Sequence, residues 1–402
     1  MTSLIQSHDE EHSGRTGAPL LALGFRPFYL LAALFSAVAL PFWITIYTGA
    51  AQLDGYLIGV AWHSHEMLFG FAAAVIAGFL LTAVRNWTSL PTPTGVMLGV
   101  LAAMWLLARV LAVTGPGVMA AIVDIVFLPA LGLAIALPIW RSRDTRNVKV
   151  LGVVAALAVL NVIWHLAYLE ELPPASAETA TQLALDLITL LMAIVGGRII
   201  PAFTANAIAG AKPRRILVLE FLCFGTLLAI LAADAAAPWY PLPSPVWTAL
   251  LTLAASAHGI RLALWQPLRT RRVALLAMLP LAYGWIPVAL GLRALSHVTL
   301  LPAAAATHAL TIGAMGSLML ATMMRSALGH TGRALVAGRA ECVAFALAQL
   351  AAVVRVLGAT VSGLPYRETA VVAGILWSLA FAVFLFRYWP ILTRPRVDGR
   401  PG

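Results

Sequence analysis

Four histidines, His63, His65, His165 and His308, stand in or at the ends of long apolar runs. Neutral imidazole ligates iron, copper and zinc. Ionisable groups inside membrane spans are costly and are therefore functional suspects. A fifth, His258, lies deeper in another apolar run. Each also has a plainer reading, as a hydrogen-bonding partner of headgroups, water or a neighbouring helix. Glu66 follows His65 directly. It could orient a ligating imidazole through its second ring nitrogen, or face water at a helix N-terminus, where the dipole favours a carboxylate. Arg109 and Arg355 suit bidentate recognition of carboxylates such as haem propionates. They could equally snorkel to headgroups or pair with Asp124 and Asp186.

Spacing restricts these groups. His63 and His65 are two residues apart, so on an α-helix they point about 200° from each other. They share one ion only if the segment is not helical there; otherwise they serve two sites. His308, Thr311, Met315, Met319 and Thr322 form one helical stripe. Met315 lies roughly 10 Å below His308 along the axis, too far for both to ligate one metal, and a methionine stripe is ordinary core packing. Glu66, Gly70, Ala74 and Gly78 recur every four residues, a small-residue face that lets another helix approach closely and presses Glu66 inward.

The elements that position these residues are membrane spans. The chain has 402 residues, 61% hydrophobic and 10% charged, whereas a soluble domain carries about 25% charged residues. A span needs roughly 20 apolar residues. Twelve candidates run from 27–48 to 369–389, with the second at 62–85, the sixth at 180–200 and the tenth at 302–325. The expected fold is all-α and polytopic, a single transmembrane domain over 20–392 between a disordered polar tail, 1–19, and a basic tail, 393–402. Arginine and lysine alternate between loops. Arg141, Arg143, Arg146 and Lys149 follow span 4; Lys212, Arg214 and Arg215 follow span 6; Arg269, Arg271 and Arg272 follow span 8. The loop after span 5 carries Glu170, Glu171 and Glu178 instead. The positive-inside rule puts both termini in the cytoplasm. His63, His65, Glu66, His165 and His308 then share the outer level, with Arg109 and Arg355 near it. Arg85, Arg198 and Arg325 mark the inner ends of spans 2, 6 and 10. Those three spans share a layout, a His or Asp above, glycines within and an Arg below.

Several classes are excluded. The net charge of +10 is spread over many loops, which is an orientation signal and not a nucleic-acid footprint. Cys223 and Cys342 are the only cysteines, with no CxxC or CxxCH, so a disulfide framework, a thiolate zinc site and covalent haem are not expected. The N-terminus lacks a basic and then apolar leader, so no cleaved signal is expected. No GxxxxGK[ST], HExxH or GxSxG occurs, and no catalytic motif is identified.

The segments Gly24-Phe25-Arg26-Pro27-Phe28, WHSHEMLFGFAAAVIAGFLLTAVRNWT (62–88), GGRIIPAFT (196–204) and HALTIGAMGSLMLATMMRSALGHTGR (308–333) resemble the NnrS family. So do Asn161 with Trp164-His165, and His258-Gly259-Ile260-Arg261 with Trp265. The resemblance covers essentially the whole chain. Arg85 is a departure, standing where the family pattern has proline. The resemblance implies a bacterial inner-membrane protein that binds non-covalent haem and copper. It further implies a link to nitric oxide, nitrosative stress and denitrification, with denitrification enzymes as possible partners beside the lipid bilayer. It assigns no metal to a given histidine. Two axial histidines must face each other from different helices, and His65 with His308 is the first expected pair, which leaves His63, His165 or His258 for copper. A proton- or metal-coupled secondary transporter is the alternative, with His258 and the Gly284/Pro287 interruption of span 9 as its broken-helix site. A haem–copper oxidase subunit is disfavoured, because no adjacent His-His pair occurs.

Overall fold

The computed structural model describes residues 18–52, 55–143 and 147–400. The expected tail at 1–19 lies, but for its last two residues, outside them, as does the end of the tail at 393–402. Twelve helices are long and apolar enough to cross a membrane. They are α1 Phe25–Tyr47, α2 Gly59–Thr88, α3 Gly95–Thr114, α4 Gly117–Ser142, α5 Val148–Tyr168 and α6 Ala175–Ala207. The second half comprises α7 Leu217–Ala236, α8 Ser244–Leu264, α9 Ala274–Ser296, α10 Ala303–His330, α11 Arg339–Thr360 and α12 Tyr366–Thr393. The twelve expected spans are all present. No strand occurs among the described residues.

Burial separates the helices into two layers. In its apolar window α2 is 89% buried, and α6 and α10 are each 61% buried, while α7 is 28% buried. The three spans with the shared layout are therefore the centre of the bundle. Around them successive helices pack in order, and α12 returns to pack on α1 and close the ring. The outer layer turns apolar side chains such as Leu133, Leu217 and Phe386 outward, as a bilayer-facing surface requires. Trp140, Trp239 and Tyr240 are exposed near helix ends, the positions favoured for interfacial aromatic anchors.

Central position accounts for the lengths. α6 runs to Ala207 through Pro201, beyond the expected end near residue 200. Inside the bundle a proline removes one donor but need not end a helix, because neighbouring helices support it. α2 begins at Gly59, so His63 and His65 are helical and the non-helical chelating arrangement is absent. α9 is interrupted at Gly284 between Tyr283 and Trp285, where the sequence places its break.

Two central helices depart from α geometry. Glu66–Ala72 of α2 and Ala309–Gly316 of α10 form π-helical turns, each directly after a histidine. A π turn holds an extra residue and shifts the phase of the helix below it. The expected single small-residue face is split accordingly. A β-carbon on Gly70 would lie 2.7 Å from Arg109 Nη1, whereas one on Gly78 would lie 3.0 Å from Phe28 and Tyr29. Gly70 thus admits α3 and Gly78 admits α1.

The loop charges fix an expected orientation. A reporter fused in the Glu170–Glu178 segment is expected to report the outer side, and one fused after Arg141 the cytoplasmic side. An inner-side signal from the first fusion would invert the assignment of every level above.

Candidate functional site

The residues singled out at the outer level fall into two neighbouring groups, one on each side of α2. The first is a buried polar cluster between α2, α3, α4 and α5. Glu66 is fully buried, and His65, Arg109, Asp124, Asn161 and His165 are at most 5% exposed. Arg109 Nη1 donates to Glu66 Oε1 at 2.9 Å, and its Nη2 pairs with Asp124 Oδ1. Trp105 stacks below the guanidinium and donates Nε1–H to the Gly70 carbonyl at 3.0 Å. That carbonyl sits within the π turn, so the irregular segment and the charge cluster are built together.

Both imidazoles of this cluster point at one carboxylate oxygen. His65 Nε2 is 3.3 Å from Asp124 Oδ2, and His165 Nε2 is 3.0 Å from the same atom. The far nitrogens have partners of their own. His65 Nδ1 meets Glu66 Oε1 at 3.0 Å, and His165 Nδ1 meets the Tyr56 hydroxyl at 3.1 Å. Burial, with Tyr168 nearby, pushes the Tyr56 phenol above its ordinary value, so the group stays a neutral hydroxyl. Asn161 bridges His65 and Asp124, with Oδ1 3.1 Å from His65 Nε2 and Nδ2 donating to Asp124 Oδ2 at 2.8 Å. One ligand atom each from His65, Asp124 and His165 lie within 4.8 Å of one another.

This donor set fits a metal ion. A ligating imidazole normally donates its other N–H to a carboxylate or similar acceptor; Glu66 and Tyr56 stand in that place. With both imidazoles neutral, Glu66 and Asp124 are opposed by Arg109 alone, which leaves one negative charge in a buried site. A cation at the point where the Nε2 atoms converge removes it. Two imidazoles and a carboxylate suit copper, zinc or iron.

The second group surrounds a cavity of about 400 Å³ between α1, α2, α6, α10, α11 and α12. His63, His308 and Arg355 face it among largely apolar walls that include Trp43, Phe71, Met315 and Trp377. His63 stacks on Trp43, with centroids 4.8 Å apart and planes 14° apart, and its Nδ1 is buried without a hydrogen-bond partner. His308 Nδ1 lies 2.7 Å from the Ala304 carbonyl one turn earlier. That contact puts the proton on Nδ1 and leaves Nε2 as the ligating atom. Arg355 Nη2 donates to the Tyr366 hydroxyl at 2.6 Å, while its Nη1 is buried without a partner. Cavities of roughly 300–1,000 Å³ hold ligands of cofactor size. An apolar slot with imidazoles from two helices and an unsatisfied guanidinium N–H fits a haem with its propionates.

The expected partnerships change in two places. His65 and His308 do not meet, because His65 spends both nitrogens in the polar cluster and His308 faces the cavity. The pair that shares a cavity is His63 with His308. Arg109 is not available to a propionate, since Glu66 and Asp124 hold it; Arg355 is. The expectation that His63 and His65 serve different partners agrees with the geometry. Glu66 does face the second nitrogen of a histidine, His65.

His258 joins neither group. Its Nδ1 is 2.7 Å from the Tyr283 hydroxyl, and the Cys223 backbone also hydrogen-bonds the ring. Tyr283 also accepts from Arg261 Nη1 at 2.9 Å. Arg261 in turn holds Glu220 through Nε at 2.9 Å and Nη2 at 2.5 Å. The interruption at Gly284 thus adjoins a closed polar network centred on Arg261.

Asp124, Asn161 and Tyr56 were not expected as site residues. Asp124 had a signal, as the carboxylate within span 4 at the histidine level. Asn161 precedes His165 by four residues, one helical turn, which puts both on one face. Tyr56 lies in a loop and had none. Among comparisons with known proteins, the family model NnrS, described as NnrS protein, matches residues 19–396. No curated protein matches the chain.

Proposed function

The chain belongs to the NnrS family, and on that premise we propose that it is a haem- and copper-binding protein of the bacterial inner membrane that handles nitric oxide. The observation that carries this reading is the cavity in which His63 of α2 and His308 of α10 face a common apolar space beside the unsatisfied Arg355 Nη1. His63 and His308 would hold the iron and Arg355 a propionate. Bound haem would supply redox-active iron, which could take a diatomic ligand only where one of the two imidazoles is not bound. The protein's own contribution is to exclude water with Trp43, Phe71 and Trp377, and to fix the His308 tautomer through Ala304. Copper belongs to His65, Asp124 and His165, with Glu66 and Tyr56 orienting the two imidazoles. Nitric oxide is small, neutral and lipid-soluble, so it can reach a site between helices without a polar channel.

The two groups share α2. His63 faces the cavity, and His65 faces the polar cluster two residues later. Any movement of the first two turns of α2 therefore acts on both sites. The purified protein is expected to be coloured, with a Soret band that nitric oxide shifts and with copper in the metal analysis. A folded preparation that is colourless and metal-free would defeat the reading.

A further inference from the structure

A separate cavity, of about 490 Å³, opens at the end of the bundle that carries the arginine-rich loops. It lies between the ends of α2, α5, α6, α7 and α8, away from the histidine groups. Its walls carry Lys149, Arg198, Arg215 and Arg261 and a single carboxylate, Glu220. Four cations against one carboxylate leave three positive charges on the cavity. Glu220 is already committed to Arg261 by two hydrogen bonds. Among the described residues, Lys149, Arg198 and Arg215 have no carboxylate partner.

Arg198 is half-buried, whereas Arg215 and Lys149 are exposed at the mouth of the cavity. Arg198 projects from within α6, stacks 5.0 Å over Trp87 and donates to Asn147 Oδ1 at 3.1 Å. Arg215, in the segment just before α7, reaches across to the Gly197 carbonyl. Gly197 has no β-carbon where the Arg261 guanidinium passes, so a larger residue there would displace the buried arginine. Arg198 and Arg215 are held in place by aromatic, amide and backbone contacts that do not neutralise them. Fixed guanidinium groups present paired N–H donors to tetrahedral oxyanions. Trp87 and Phe224 add apolar wall beside them, and basic pockets between membrane helices on this kind of face recognise phosphate headgroups.

We propose that this cavity binds a phosphate group, carried either by an acidic phospholipid headgroup or by a soluble phosphate compound. Arg198, Arg215 and Lys149 would contact it, with Arg261 and Glu220 as the fixed floor.

The test uses the full chain in an uncharged detergent at low ionic strength, and does not depend on haem or copper content. Binding isotherms are measured for dihexanoyl phosphatidylglycerol, dihexanoyl phosphatidylcholine and inorganic pyrophosphate, with sodium chloride of matched ionic strength as the blank. Saturable binding of both phosphatidylglycerol and pyrophosphate supports the site and points to a soluble phosphate compound. Binding of phosphatidylglycerol without pyrophosphate or phosphatidylcholine supports it and points to a lipid. In either case Arg198→Gln/Arg215→Gln is expected to weaken binding at least about tenfold. Lys149→Gln, at the exposed rim, is expected to weaken it about threefold and serves if the double variant does not fold. Arg271→Gln/Arg272→Gln, on the same face but outside the cavity, should bind as the unaltered protein does. No saturable binding by the unaltered chain overturns the proposal. So does an equal loss in the Arg271/Arg272 variant.

Discussion

Arg109→Ala is expected to destabilise the protein by about 3–5 kcal/mol, the range found when one partner of a buried ion pair is removed. Among the described residues Arg109 is the one guanidinium in contact with both Glu66 and Asp124, and all three are nearly or fully buried. Its loss leaves two carboxylates away from water, with only imidazoles and Asn161 beside them. The Gly70 approach would then face a void, and the Trp105 ring would lose the cation stacked on it. Arg109→Lys keeps the charge but cannot span two carboxylates from a planar fork, so it should fall between. Arg109→Ala combined with Glu66→Gln should recover part of the loss, since one charge fewer is left unopposed; contacting groups are not additive. Thermal unfolding in detergent reads this directly. An Arg109→Ala protein that melts with the unaltered chain would show that the cluster is solvated and that its burial has been misread.

The fold was legible because membrane spans are written in composition. Apolar length marks each helix, and the arginine alternation checks the count independently, so twelve helices emerge near the expected positions. The common level of His63, His65, His165 and His308 followed from the same bookkeeping. What was not legible is which neighbours a helix has. Periodicity showed that His63 and His65 diverge, but not that α4 and α5 would stand on the His65 side and α10 and α11 on the other. Hence the expected His65–His308 pair and the expected Arg109–propionate contact both failed by lateral placement, not by depth. The π turns were also hidden. Glu66–Ala72 and Ala309–Gly316 read as ordinary helix in sequence, and the extra residue changes which faces align below them. Tyr56 shows the remaining limit, since a loop tyrosine reaches His165 only through tertiary structure.

Substituting the histidines one at a time should separate the two metal groups of the proposed function. His308→Ala and His63→Ala are each expected to reduce bound haem to below about a tenth, because loss of even an outer-shell partner costs 10–100-fold in affinity and in the proposed function these residues would be the ligands themselves. Neither change should unfold the chain. His308 bonds only to a carbonyl of its own helix, a contact of about 1 kcal/mol, and His63 Nδ1 has no partner to lose. His165→Ala is expected to do the reverse, removing copper while the Soret band stays. His165 and His63 lie on opposite sides of α2, so the second outcome also tests whether that helix insulates the groups. Absorbance and copper content per mole of protein, read beside the melting temperature, distinguish cofactor loss from misfolding. Full haem in His63→Ala would remove His63 from the site and leave His308 as the histidine that would hold the iron. Joint loss of haem and copper in a stable His165→Ala protein would mean that the groups are one centre coupled through the first two turns of α2. The two-residue spacing argues against that, because it directs the imidazoles of His63 and His65 to opposite faces.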